Sequence, residues 1–221
     1  MVRLVLSQAL ILLVVTLIPA AARAAEDPRE GDLRDLRVGM TAEELPDEGY
    51  AGIACGNDGA EPGPPIAGWR DYRACPANPA GWHEVAFEYA PSPLAELGDQ
   101  WEGTKVAGHP VIPSLLIDRH GVVQGIRIVT DPDARLYLKK KAFLLGLRVM
   151  GRYGRDGWTC TERDPGDGRS AVGGMYIERR CEKTFEDRRL ILKTDLYRTA
   201  EQEGQAFTGA TRLEILKASA G

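Results

Sequence analysis

The sequence predicts an α+β fold in which two small antiparallel β units, each with one disulfide, are joined by an amphipathic helix. Three observations support this prediction. Two cysteine-bracketed segments recur along the chain, strand-like alternation follows each of them, and one helical pattern lies between them. The predicted order is a signal peptide (1–24), a flexible mature N-terminus (25–35), a first β-rich repeat unit (36–130), a linking helix (131–150) and a second β-rich repeat unit (151–221).

The first 24 residues have the three parts of a secretory signal. Arg3 precedes a mostly apolar stretch, and Ala22-Arg23-Ala24 fits an Ala-x-Ala cleavage site. The apolar stretch has about 14 residues, fewer than the roughly 20 that cross a bilayer. We therefore expect a cleaved signal, no membrane anchor after cleavage and a periplasmic location.

The overall charge narrows the class of partner. The chain has 28 basic and 32 acidic residues, which gives a net charge of −4. Cleavage removes Arg3 and Arg23 and no acid, so the mature chain carries two fewer positive charges. A mildly acidic surface argues against nucleic acid or anionic lipid as the main partner, since both are polyanions.

Two brackets of similar length predict the disulfides. An even number of cysteines in an exported chain favours disulfide bridges. Because a duplicated unit would carry its own bridge, we expect Cys55 to pair with Cys75 and Cys160 with Cys181. In both brackets a glycine lies seven positions, and an arginine two positions, before the closing cysteine. We expect a strand to enter each closing cysteine. A four-cysteine zinc site is disfavoured because the chain lacks a C-x-x-C pair.

The first unit begins with a short turn and continues as strands. Thr41 to Glu44 fits a capping box, and Pro46 limits it to about one turn. A Gly- and Pro-rich loop follows at 56–65. His83 to Tyr89 alternates as a strand does, and a loop is predicted at 94–108. The chain from Leu115 to Thr130 then predicts two strands around an Asp118–Gly121 hairpin turn.

One short stretch resembles a known family. Leu36 to Glu44, which contains Gly39-Met40-Thr41 and ends in glutamate, is similar to the GMT-x-x-E start of envelope assembly proteins of the SmpA/BamE type. The resemblance covers nine residues and implies an envelope-protein module with a turn, a helix and a short sheet. The chain departs from it in having no lipobox cysteine, and no site residue follows from the resemblance.

The linking helix has clear boundary signals. Asp131 is a good N-cap, Pro132 suits the first helical position, and an apolar stripe recurs at three- and four-residue spacing up to Met150. The second unit then predicts strands at 175–181, 189–197 and 211–217.

Residues that carry chemistry in other proteins have simpler explanations here. The three histidines, His83, His109 and His120, lack the spacing of a metal site. Asp118 and His120 fit a tight turn, and Ser114 lacks the G-x-S-x-G elbow of a nucleophile. Asp164 to Gly168 lacks the alternating ligands of a calcium loop, and Glu84 and Glu88 fit the solvated side of a strand. No cofactor or metal is predicted.

The aromatic and arginine residues around the first bracket are the candidate binding residues. Such residues are enriched at recognition hot spots, although the two tryptophans also fit a core beneath the bracket loop. The set comprises Trp69, Arg70, Tyr72, Arg73 and Trp82. The function expected is a non-enzymatic periplasmic module that binds a protein or an envelope component. The alternatives are an envelope-directed hydrolase that uses acidic residues, or a secreted enzyme inhibitor.

Overall fold

The computed structural model describes residues 31–91, 103–166 and 168–218. The predicted signal peptide, residues 25–30 and most of the expected 94–108 loop lie outside these ranges. The elements are β1 (Tyr50–Cys55), a 3₁₀ helix (Trp69–Ala74), β2 (His83–Tyr89), β3 (Thr104–Val106), β4 (His109–Ile117), β5 (Val123–Thr130), α1 (Leu136–Lys140), α2 (Phe143–Arg152), β6 (Thr159–Glu162), β7 (Arg169–Ser170), β8 (Ile177–Phe185), β9 (Arg188–Thr199) and β10 (Thr208–Lys217).

The strands form one mostly antiparallel sheet. Their order is β1-β2-β4-β5-β10-β9-β8-β6, with β3 added beside β4 and β7 beside β9. The strands of the two predicted units meet where β5 pairs with β10, for example at Ile126 and Ile215. The predicted α+β class, with two β units joined by a helix, is therefore wrong, because the central strand pair carries the sheet without interruption from one half to the other.

The apolar core formed by the described residues lies on one side of this sheet, the covered face. A row of directly paired residues crosses six strands there, and each is at most 3% exposed: Cys55, Val85, Leu115, Ile126, Ile215 and Leu190. The segment before β1, the 3₁₀ helix and α2 supply Leu36, Trp69, Tyr72 and Leu145 to the same cluster. Because both halves contribute to one core, burial in one half depends on the other.

The predicted linking helix is two helices that pack on the sheet. Asp131 does not cap a helix; its side chain accepts the N–H of Asp133 in a turn, and α1 begins at Leu136. The N–H groups of Lys141, Ala142 and Leu144 bond three residues back, which separates α1 from α2. α2 buries Leu145, Gly146 and Val149 and contacts β9 and β10.

Both predicted disulfides are confirmed, and one predicted strand is wrong. Cys55 is bonded to Cys75 and Cys160 to Cys181. A strand enters Cys181, but the chain enters Cys75 as a 3₁₀ helix. Trp69 and Tyr72, three residues apart, lie on the same side of this helix and are both buried, which accounts for the tighter winding.

The two disulfides indicate an oxidising, extracytoplasmic environment. Within the described ranges, no helix has the length and apolar character needed to cross a bilayer.

Several local predictions are confirmed. β2 has the predicted bounds, and the Asp118–Gly121 turn is closed by a 3.0 Å bond from the Gly121 N–H to the Asp118 carbonyl. In the capping box, the Glu44 carboxylate accepts the backbone N–H of Thr41 at 2.8 Å. Residues 31–35, which the sequence assigns to a flexible N-terminus, are held in place, since Asp32 bonds Arg188 at 3.0 Å.

Candidate binding face

The predicted aromatic binding residues divide between core and surface. Trp69 is 1% exposed and donates its indole N–H to the Pro46 carbonyl at 2.9 Å. Tyr72 is equally buried, and Trp82 is half-buried. Arg70 and Arg73 are exposed on the 3₁₀ helix. The tryptophan and tyrosine thus serve the core, while binding through the two arginines stays a prediction.

The side of the sheet opposite the core, here the open face, is defined by the strand register. Directly paired residues of an antiparallel sheet share a face. The central row of directly paired residues on the open face is Ser114–Arg127–Glu214–Ile191–Glu182. Each of these residues is one position along its strand from the row on the covered face. This face is therefore lined by charged side chains along most of its width.

In the first half, the open face is built around Arg127, whose side chain is only 9% exposed. Its guanidinium bonds Glu84 at 2.6 Å, and Glu214 and Asp58 at 3.0 Å each. The Ser114 hydroxyl donates to Glu84 at 2.7 Å. The expectation that Glu84 faces solvent is wrong, because the ion pair with Arg127 and the bond from Ser114 hold it in the sheet; Glu88 is exposed as expected.

The loop at 56–65, which lies between Cys55 and Cys75, crosses this half of the open face. Asp58 accepts hydrogen bonds from Arg212, and its backbone N–H donates to Glu84 at 3.1 Å. Gly59 has φ +82°, and a Cβ there would lie 2.3 Å from the Val129 side chain, so only glycine allows the loop to lie this close. The bonds from Arg212 hold the pKa of Asp58 below its usual range, so the contact persists at neutral pH.

The second half of the open face carries a row of three cations. Arg180, Lys193 and Arg212 pair directly across β8, β9 and β10. Their side chains are 51%, 50% and 27% exposed. Like charges placed directly opposite each other destabilise a sheet. We call these three residues the cation row.

Each member of the cation row is followed two residues later by an acid on the same face. Arg180 bonds Glu182 at 3.0 Å, Lys193 bonds Asp195 at 3.0 Å, and Arg212 bonds Glu214 at 2.8 Å. These pairs offset the repulsion within the row without covering it. Arg180 and Lys193 stay accessible to a ligand from solvent, whereas Arg212 is also bonded to Asp58 at 2.6 Å.

Comparison with known protein families, curated proteins and solved structures finds no match to this chain. The function is therefore argued from the geometry of the open face.

Two carboxylates beside the cation row have pKa values that their surroundings move in opposite directions. Asp195 pairs directly with Glu178 and is 7% exposed. Burial raises the pKa of Asp195, and the neighbouring Glu178 adds to this, although Lys193 opposes it. Burial also opposes ionisation of Glu178, but bonds from Tyr176 and Arg169 hold its pKa below the usual range.

A concavity of about 570 Å³ adjoins the outer end of the cation row. It lies over the edge formed by β6 and β8, where Thr159 and Thr161 are exposed. Three cations, Arg180, Lys183 and Arg189, and the single carboxylate of Glu182 line it. The sheet thus presents a positive concave surface on a chain whose net charge is −4.

The residues considered for catalysis or metal binding lie apart. The histidines occupy β2, the start of β4 and the Asp118 turn, and Ser114 bonds Glu84 instead of His120. In that turn, burial opposes ionisation of Asp118, but the N–H groups of Val122 and His120 lower its pKa. Asp167, in the loop compared with a calcium site, lies outside the described residues. Among the residues that are described, no group of three or more His, Cys, Asp or Glu side chains is placed to hold a metal.

Sequence reasoning missed the cation row because its members are far apart in the chain. One signal was present in each strand: a basic residue and an acid two positions later, at 180 and 182, 193 and 195, and 212 and 214. Alternation places such a pair on one face of a strand. Only the pairing of β8, β9 and β10 shows that the three pairs align.

Proposed function

We propose that this protein is an exported, non-enzymatic periplasmic module that binds an anionic protein or envelope component through the second half of its open face. The cation row carries the proposal. Three aligned cations reduce the stability of a sheet, and departures from local stability rules are expected at functional sites. A ligand with negative charge would relieve the part of this repulsion that Glu182, Asp195 and Glu214 leave.

The size and charge of the surface favour a macromolecular partner. The four strands β10, β9, β8 and β6 span about 15 Å at roughly 4.8 Å per strand. The positive charge is local and the whole chain is acidic, so a nucleic acid would meet repulsion beyond the patch. An acidic segment of a protein, or a non-lipid envelope component whose negative charge is confined to a small region, would place its charge on the row and meet less of that repulsion.

The periplasmic location rests on two observations of different kinds. Disulfides persist in oxidising compartments, and the N-terminal sequence has the pattern of a cleaved secretory signal. An internal duplication is also proposed, since the sheet order, read from either edge to its centre, follows the order of the chain: β1-β2-β4-β5 and β6-β8-β9-β10.

Charge reversal tests the proposal. The whole chain is expressed for export, and the purified protein is immobilised to capture components of an envelope extract. The variant Arg180→Glu/Lys193→Glu is compared with Arg148→Glu/Arg155→Glu, which makes the same charge change at exposed residues that belong neither to the cation row nor to the lining of the concavity. We expect the wild type and the control to retain the same component, and the row variant to lose at least about tenfold in affinity for it, since two contacts to charged groups are reversed.

Salt dependence and folding complete the test. Retention should fall between low and physiological salt, because exposed charges are screened over about 8 Å at 0.15 M. Thermal unfolding must show both variants folded. Equal retention by all three proteins, or no component retained by any, would contradict the proposal.

A hydrolase acting through acidic residues is a second candidate, favoured by one observation. Glu178 and Asp195 are paired directly, and their environments move their pKa values in opposite directions, as in an acid–base pair. Incubation of the captured component with wild type, Glu178→Gln and Asp195→Asn proteins decides between the two. Product that forms only with the wild type supports the hydrolase.

A further inference from the structure

The two edges of the sheet differ in how their backbone groups are used. At the β1 edge, residues 63–66 close the strand: the Cys55 N–H bonds the Pro64 carbonyl at 3.0 Å, and the Ile66 N–H bonds Ile53 at 3.0 Å. At the other edge, β6 pairs with β8 on one side, and no described residue pairs with its outer side. All four residues of β6 are exposed. Edge strands are usually protected; β6 has only its short length and Glu162 for this purpose, whereas a chain segment covers the β1 edge.

The outward backbone groups of β6 follow from its register. The Arg163 N–H bonds the Glu178 carbonyl at 2.9 Å, in the same register that pairs Thr161 with Arg180. In an antiparallel pair, hydrogen-bonded and non-hydrogen-bonded positions alternate. Thr161 and Arg163 therefore bond β8, while the N–H and carbonyl groups of Cys160 and Glu162 point away from the sheet.

We propose that an acidic, extended segment of the partner binds as an additional antiparallel strand on the outer edge of β6. This inference rests on the proposed function and specifies its partner as a protein. Backbone bonds to Cys160 and Glu162 would supply pairing, as in other cases of β-strand addition. The positive concavity over this edge supplies the charge preference.

The charges of the edge fit an acidic segment with alternating side chains. Residues of the added strand that pair directly with Thr161 share the open face. The added strand would lie beside β6 and therefore two strand spacings from β8, at about 4.8 Å per spacing. Thr161 is small, so an acidic side chain on the added strand reaches over it to Arg180, whose side chain is 51% exposed. The added acid would thereby lie in line with the cation row, on the other side of Thr161 from Arg180.

Synthetic peptides test the proposal directly. The probe is an end-capped octapeptide of alternating glutamate and valine, which places all carboxylates on one face of a strand. Its binding to the exported protein is measured by fluorescence anisotropy beside a lysine–valine peptide. We expect binding of the glutamate peptide at low salt, weakened by at least about tenfold in Arg180→Glu/Lys193→Glu.

Backbone methylation separates strand pairing from charge attraction. In the antiparallel arrangement, the valine N–H groups face β6 and the glutamate N–H groups face solvent. One probe carries N-methyl groups on all four valines and another on all four glutamates. We expect the first to bind at least about tenfold more weakly and the second to change by less than about twofold, since only the first loses hydrogen bonds to the protein.

A substitution in β6 gives the matching test on the protein. Glu162→Pro removes an outward N–H that β8 does not use, and proline is tolerated in edge strands. The control, Glu162→Ala, removes the same negative charge and keeps the N–H. We expect Glu162→Pro to weaken the glutamate peptide by about tenfold relative to Glu162→Ala, with unchanged circular dichroism in both proteins.

The outcomes separate this inference from the proposed function. Binding that depends on Arg180 and Lys193 but is equally sensitive to both methylation patterns would overturn strand addition and leave the anionic binding face standing. No binding of the glutamate peptide, together with envelope capture that depends on the row, would likewise overturn strand addition. A free protein that sediments as a dimer, and as a monomer after Glu162→Pro, would assign the edge to a second copy of the chain and overturn the peptide proposal.

Discussion

Asp195 sets a testable relation between pH and stability. Its carboxylate is buried on the open face, and within the described residues its Oδ1 has no hydrogen-bond partner. Because burial raises its pKa, the folded protein binds more protons than the unfolded chain from the ordinary value of 3.8 upward. The stability of the wild type therefore falls as pH rises through the interval between 3.8 and the raised pKa.

We expect Asp195→Asn to gain stability relative to the wild type across that interval and to keep the gain at pH 7. The gain should be about 1 kcal/mol, because asparagine carries no charge and avoids the cost of ionising a buried carboxyl group. Urea unfolding from pH 4 to pH 8 measures it, with Asp71→Asn on the exposed side of the 3₁₀ helix as the control. Parallel pH profiles for Asp195→Asn and wild type would show that this carboxyl group ionises freely.

Single residues were predictable from the sequence where the local chain determines them. The Asp118 turn and the Thr41–Glu44 capping box depend on neighbours within four residues, and both are present. Glu84 was not predictable in this way, since its partners Ser114 and Arg127 are 30 and 43 residues away. Alternation placed it on the correct face, but only the sheet shows that this face is occupied by an arginine.

At the level of elements, α2 packs closely on the sheet because of one glycine. A Cβ at Gly146 would lie 2.9 Å from the Thr194 hydroxyl oxygen. Thr194 is 1% exposed and its hydroxyl has no partner among the described residues, so it has little room to move. Gly151 lies in the same helix, and a Cβ there meets nothing within 4 Å.

These two glycines should respond oppositely to alanine. We expect Gly146→Ala to destabilise the protein by about 1–3 kcal/mol through overpacking, and Gly151→Ala to stabilise it by about 0.5 kcal/mol through helix propensity. Urea unfolding gives both values. Adding Thr194→Ala to Gly146→Ala should restore most of the loss, because it removes the oxygen that the new methyl group meets. Stabilisation by Gly146→Ala alone would show that α2 can move away from β9 at no cost.

Strand elements were predicted better than the helix and the first bracket. Alternating patterns gave β2 and the central parts of β5, β9 and β10. The helical stripe gave the correct buried residues, Leu145 and Val149, but not the break before α2, which depends on how the chain meets the sheet. The segment before Cys75 differs from the strand that contains Cys181, because its buried residues Trp69 and Tyr72 are three positions apart.

For the whole molecule, the decisive contact is the pairing of β5 with β10. The sequence separates the two halves by a helical segment, and nothing in the local pattern indicates that a strand at 123–130 pairs with one at 208–217. Strand pairing over such a distance depends on complementary faces and not on local propensity. The disulfide pairings were predictable because each closes a short loop within one half.

A shared core predicts cooperative unfolding of both halves. Leu190, in β9, is fully buried and belongs to the same cluster as Leu115 in β4. Leu190→Ala should cost about 3 kcal/mol, which corresponds to a loss of roughly 100-fold in protection from hydrogen exchange. We expect this loss of protection to be equal in the most slowly exchanging peptides of β4 and of β9, as measured by mass spectrometry at neutral pH. The control Arg180→Ala changes an exposed residue and should leave the protection of both sets of peptides within about twofold of the wild type. A loss confined to β8, β9 and β10 would show that the halves open separately despite their common sheet.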